Sequence, residues 1–300
     1  MTEEPDSDDR RTMDAEEALR DTKYIPSSTA EQLWICLVNQ MSLFFKQKTV
    51  WALLLMVLAI PFLYVVFHAE APAYFPDVET ADVYASYILA ALPLASMFAA
   101  SVVCGSMLPR EYNERTVYLT LPMPVSRRTF FFGKFLSGYL LCASIACTAY
   151  GVALAISMTF APQTYTGWIA ASLATSLAGT FFCCAFAYML SARMTRGSSV
   201  LPLILMFVAI PLACILAYMV APGFLSVLGY APVFSFDLSL DMLGDSMNLS
   251  LLGFLKSFLP EQTEGLQAGP DAFVMSAVSV VLGIAMLYVG CVINDRRDMR

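Results

Sequence analysis

Charge is scarce in this chain, and so are the groups that usually do chemistry. Only 14% of its 300 residues are Asp, Glu, Lys or Arg, and one is histidine; an ordinary soluble domain carries about 25% charged residues. No ionisable side chain falls in the middle of any long apolar run. Ion-coupled carriers commonly bind the driving ion on such a group at mid-membrane. That class is demoted, with backbone-built ion sites as its remaining route. HExxH, GxSxG and paired intramembrane carboxylates are absent, which removes metal-activated and serine-nucleophile hydrolysis. A phosphate-cradling loop is missing too. Gly133-Lys134 resembles its end, but that loop needs a glycine five residues before Gly133 and Ser or Thr after Lys134. The chain has Arg128 and Phe135 there. No catalytic residue and no cofactor are expected in this chain.

The eight cysteines (Cys36, Cys104, Cys142, Cys147, Cys183, Cys184, Cys214 and Cys291) form no CxxC pair and sit mainly in apolar blocks. They read as small buried apolar residues, with neither a disulfide framework nor a metal site expected. The only histidine, His68, falls at the outer end of the first apolar block and reads as an interfacial polar ring.

What is abundant is apolar surface: 58% of residues are hydrophobic and mean hydropathy is +0.67. It comes in uncharged blocks long enough to cross about 30 Å of hydrocarbon as a helix. The expected fold is an all-α polytopic membrane protein with six transmembrane helices, at about 50–67, 84–107, 135–160, 168–192, 198–220 and 272–293. Pro61, Pro93, Pro202 and Pro211 lie inside these spans and predict kinks, which neighbouring helices in a membrane can accommodate. Residues 1–30 are acidic and lack apolar periodicity, so a disordered cytoplasmic tail is expected there, followed by one membrane domain over 31–300. Between Glu31 and Lys48, Trp34, Leu37, Val38, Met41, Phe44 and Phe45 recur at helical spacing. They predict an amphipathic helix on the inner membrane surface, or an extension of the first span.

The basic residues give the orientation. They cluster before the first span, between the second and third, in the turn at Arg193 and Arg196, and at the C-terminus; the loops 68–83, 161–167 and 221–271 contain only Lys256. Both termini are therefore expected in the cytoplasm of a multi-pass protein of the cell membrane, and six spans keep the asymmetry. In the long outer loop, Leu238, Leu240, Met242, Leu243, Met247, Leu251, Leu252, Phe254 and Leu255 alternate with acidic residues. Two short helices that dip into the outer leaflet and bury those side chains there are expected.

The polarity missing elsewhere gathers between the second and third spans, in REYNERTVYLTLPMPVSRRTFFFGK, Arg110 to Lys134. Helical character over Glu111–Leu119 stops at Leu121-Pro122 and Pro124, because proline disfavours helix in the residue before it. Ser126 can cap a new helix from Arg127, whose Phe130, Phe131 and Phe132 enter the membrane interface. A helix so joined to the third span transmits a push to it. The segment resembles the permeases of type-2 ATP-binding-cassette (ABC) exporters, whose hallmark after the second span is an acidic residue, Gly-Thr, apolar residues, Leu-Pro-x-x-Ser-Arg and then Gly-Lys. The matching residues are Glu111, Thr116, Leu121, Pro122 with Pro124, Ser126, Arg127, Gly133 and Lys134, while Arg115 stands where the family has glycine. An ordinary basic inner loop explains the arginines but not the Pro-x-Pro-Val-Ser-Arg spacing.

The resemblance covers about residues 30–295. It implies a permease that dimerises, with itself or a related subunit, and docks through this segment on a separate cytosolic ATPase that binds ATP and magnesium. It assigns ATPase coupling to Glu111, Arg115, Thr116, Leu121, Pro122, Pro124, Ser126, Arg127 and Lys134, with Lys134 expected to anchor the third span among the inner headgroups. Ala170–Ala174 and Ala171–Thr175 with Gly179 offer small faces for helix packing, including in a dimer. Membrane lipid is the other expected partner, and nucleic acid is not one. Two further functions stay open: a non-transporting scaffold relaying ATPase motion to an extracytoplasmic partner through loop 221–271, and a secondary transporter. Ser137, Ser144, Thr148, Ser176 and Thr180 fit either a polar path or hydrogen bonds between helices.

Overall fold

Helix starts where the sequence supplies a cap. The Ser28 Oγ accepts from the Glu31 N–H at 3.3 Å, and a Glu31 carboxylate oxygen accepts from the Ser28 N–H at 3.0 Å. This reciprocal pair satisfies two donors that a helix N-terminus leaves open. The computed structural model describes residues 28–70, 81–109, 127–160, 167–194, 200–210, 213, 232, 235–243 and 271–296, and every regular element among them is helical. From the cap, α1 runs Thr29–Lys46 and α2 runs Lys48–Glu70. The two are bent by 73° at Gln47, which is extended (φ −84°, ψ 123°). The Trp51 indole reaches back across the bend and donates to the Phe45 carbonyl at 2.8 Å. That bond satisfies a carbonyl left open at the end of α1. Residues 29–46 are thus a separate helix and not a straight extension of the first span.

The second span is broken near its N-terminal end. Helices α3 (Ala81–Leu89) and α4 (Leu92–Gly105) meet at Ala90 and Ala91, with Pro93 in the first turn of α4. Proline has no N–H to bond back to Leu89, and its ring crowds the preceding turn, so the break is expected at this place. Then α5 (Arg127–Phe160) runs unbroken for 34 residues, followed by α6 (Ile169–Arg193), α7 (Val200–Ile204) and a π-turn (Leu205–Ala209) three residues after Pro202. A seven-residue helix α8 (Ser235–Asp241) lies within the predicted outer loop, and α9 (Ala272–Asp295) ends the described chain.

At the centre is α6, packed by α4, α5, α8 and α9. Against α5 it is antiparallel: Phe131 meets Tyr188, Tyr139 meets Phe181, and Tyr150 meets Ser172. Against α9 it is parallel, since Thr175 meets Ser276 and Cβ atoms at Gly283 and Gly290 would fall 3.5 Å from the Phe182 Cα and 3.2 Å from the Met189 Cα. The chain therefore leaves α6 at one end of the bundle and enters α9 from the other.

Among the described residues four helices are long and apolar enough to cross a membrane: Tyr84–Pro109, Arg128–Thr159, Ile169–Arg193 and Ala272–Asn294; α1 with α2 adds a fifth if the bent pair is one span. The predicted fifth span is described only over 200–210 and at 213. Asp82, assigned by sequence to the loop 68–83, is instead buried in the first turn of α3, where the positive end of the helix dipole favours a carboxylate.

Candidate functional site

Of the segment 110–134, the described part is the start of α5. Arg127 is the first residue of that helix and Lys134 lies two turns further on. Glu111, Arg115, Thr116, Leu121, Pro122, Pro124 and Ser126 lie outside the described residues. So do the predicted helix over Glu111–Leu119 and the cap at Ser126. A helix beginning at Arg127 is present, as the Pro-Val-Ser-Arg pattern predicts, and it is continuous with the third span.

Lys134 is covered by the chain itself. Its side chain is 5% exposed, and its ammonium sits 4.1 Å from the centroid of the Phe130 ring, one turn back on α5. The ring quadrupole holds a cation where water is scarce. The next helix, α1, closes over this end of α5: a Cβ at Gly133 would stand 3.0 Å from the Cys36 Cβ and 3.6 Å from Leu33. Only glycine lets the two helices approach so closely. The stripe Leu33, Cys36, Gln40 and Phe44 faces the bundle, while Trp34, Ile35, Val38 and Phe45 stay exposed. The apolar side of α1 is thus shared between the protein and its surroundings.

From the other side α6 holds the same end of α5. The Tyr188 hydroxyl donates to the Phe131 carbonyl at 3.0 Å, and the two rings lie 4.7 Å apart, both fully buried. Above them Phe135 and Tyr139 of α5 meet the Phe181 ring edge-on at 5.6 and 5.2 Å. Edge-to-face contacts put positive ring edges against negative faces and add to the packing. The start of α5 is therefore held on one side by α1 and on the other by α6.

At the opposite end of the α5–α6 pair the contacts are hydroxyls. Tyr150 and Ser172 hydroxyls lie 2.9 Å apart, and Ser172 donates to the Ser239 carbonyl of α8 at 2.5 Å. Phe236, Leu240 and Leu243 are buried, and a Cβ at Gly179 would collide with the Ser235 Oγ and come 3.3 Å from the Phe236 ring. One of the expected short helices is therefore seated against α6 by its apolar face. Met247, Leu251, Leu252, Phe254 and Leu255 lie outside the described residues.

The small-residue faces of α6 divide. Thr175 and Gly179 are used within the chain, against Ser276 and α8, while Ala170 and Ala174 remain exposed. The hydroxyls read as path or interhelical contacts mostly bond their own helix: Ser137 to Lys134, Ser144 to Leu141, Thr148 to Ser144 and Ile145, and Thr180 to Ser176, all at carbonyls and between 2.7 and 3.0 Å. In apolar surroundings the nearest acceptor for such a donor is a carbonyl three or four residues back.

Sequence reading missed Tyr188, Tyr150 and the Gly133–Cys36 approach. The tyrosines carried a signal, because a phenol inside a hydrocarbon-spanning helix has to find an acceptor. The approach of α1 carried none. Set beside known proteins, residues 44–213 match the family model described as ABC-2 family transporter protein, more than half of the chain. None of the curated proteins matches it.

Proposed function

Because the chain belongs to the ABC-2 transporter family, we propose that it is the membrane permease subunit of an ATP-driven exporter, coupled through residues 110–134 to a separate cytosolic ATPase. The observation that carries this reading is α5 itself. At 34 residues and about 1.5 Å per residue it is about 50 Å long, well beyond the roughly 30 Å of hydrocarbon. Its surplus length fits an inner end that projects toward an ATPase while its body stays in the bundle. The grip of Tyr188 and α1 on that end then passes displacement to α6 and the helices around it. The assembly is proposed to hold two permease subunits and two ATPases, with cargo leaving the cytoplasmic leaflet and both permease termini cytoplasmic. Six spans follow from the same reading. The parallel α6–α9 pair supports them, because entry to α9 from the far end calls for one more crossing between residues 194 and 271.

The scaffold reading needs loop 221–271 to offer an apolar surface to an outside partner. Phe236, Leu240 and Leu243 are already buried in this chain, which favours transport.

Coupling is tested by measuring ATPase co-purification and cargo flux side by side on each variant. Glu111→Ala and Arg127→Ala are expected to insert normally and to lose about 2–5 kcal/mol of assembly if their contacts are buried. Pro122→Ala with Pro124→Ala is expected to keep docking and lose flux. Normal binding and flux in all of them would reduce the segment to a basic inner loop.

A further inference from the structure

We propose that Cys104, Cys142 and Cys184 form a binding site for a soft, thiophilic cation, monovalent copper, where α4, α5 and α6 meet. All three side chains are buried, and their Sγ atoms lie within 4.8 Å of one another. Metal–thiolate bonds of about 2.3 Å set coordinating sulfurs about 4 Å apart, so a small inward movement of the thiols closes the site on a cation. The room for them comes from Gly138, one turn before Cys142 on α5. A Cβ there would stand 3.0 Å from the Cys104 Sγ and 3.0 Å from the Cε of Met107. A side chain at 138 would drive Cys104 away from the other two.

The donor set selects the ion. No His, Asp or Glu among the described residues joins the group, and sulfur donors favour monovalent copper or zinc over oxygen-seeking cations. Structural zinc takes four protein ligands, whereas three sulfurs complete a trigonal copper(I) site. Binding exchanges thiol protons for the cation. The sulfurs bind as thiolates, so loading releases protons and weakens as pH falls. The bound ion would fasten three spans together. Spacing along the chain gave no sign of it, because each ligand comes from a different helix and no CxxC is present.

The site is independent of ATPase coupling and is tested on the full chain in lipid nanodiscs, loaded with copper(I) under reductant against a competing chelator. The expected result is about one equivalent of copper retained per chain, with a higher thermal midpoint than the unloaded protein. A variant with Cys36, Cys147 and Cys214 changed to Ala is expected to keep the copper. Cys104→Ser with Cys142→Ser and Cys184→Ser is expected to lose it. Should that variant fail to fold, Gly138→Ala leaves all three thiols in place and is expected to weaken copper binding about 10- to 100-fold. Failure of the full chain to retain copper, unchanged retention in the triple serine variant, or zinc retained in preference to copper overturns the proposal.

Discussion

The second and last spans are nearly equal in hydropathy, 2.0 against 2.3, yet 78% of the most apolar stretch of one is buried inside the protein and only 28% of the other. What separates them is side-chain size. The buried helix α4 reads LPLASMFAASVVCG, rich in Ala, Ser, Cys and Gly. The outward face of α9 carries Phe273, Val281, Ile284 and Tyr288, all more than half exposed, while its glycines 283 and 290 sit against α6. In water, hydrophobicity sorts inside from outside. In lipid it cannot, because the hydrocarbon is as apolar as leucine, and close packing of small residues decides instead.

The sharpest way to break this comparison is to place a leucine on each of the two faces of α9. Gly290→Leu drives a side chain toward the Met189 backbone, and about 3 kcal/mol of lost stability is expected. Val281→Leu, on the outward face, is expected to change stability by less than about 0.5 kcal/mol. Unfolding by SDS titration in mixed micelles measures both; equal effects would mean that α9 packs as tightly outside as inside. A smaller effect is expected within α4, where Ala100 is fully buried and Leu94 is 48% exposed. Ala100→Leu is expected to cost about 2 kcal/mol and Leu94→Ala clearly less, by the same titration. The smallest effects belong to hydrogen bonds between helices, which average about 0.6 kcal/mol in a bilayer protein. Tyr188→Phe and Tyr150→Phe are each expected to stay within about 1 kcal/mol. A larger loss at Tyr188 than at Gly290 would mean that the hydroxyl between α5 and α6 contributes more than the close packing of α9 on α6.

This same contrast marks the limit of what the sequence disclosed. Hydropathy and local breakers are one-dimensional signals, and the features they govern were legible: the break at Pro93, the helix from Arg127, and the ends of α6 and α9 to within a few residues, whereas the cap at Ser28 fell inside the stretch expected to be a tail. Which face of each helix turns inward is set by partners far along the chain. That is why Gly283, Gly290 and the three clustered thiols carried no local mark, and why the contact of Lys134 with Phe130 was not foreseen. Asp82 was misplaced because a charge beside an apolar block reads as loop, although a helix N-terminus also welcomes it. Of the residues proposed to couple to an ATPase, only Arg127 and Lys134 lie in the described chain, and the helix is continuous from Arg127 onward.

The parallel pairing of α6 with α9 also has a consequence in time. Each matched pair, 175 with 276, 182 with 283 and 189 with 290, is 101 residues apart along the chain. A ribosome adding about 5–20 residues per second needs roughly 5–20 seconds to make that length. For that interval the Phe182–Met189 face of α6 is in the membrane without its permanent neighbour. Lipid, or an insertion chaperone, has to cover it and then leave, so the emergence of α9 determines when this face of α6 is first closed.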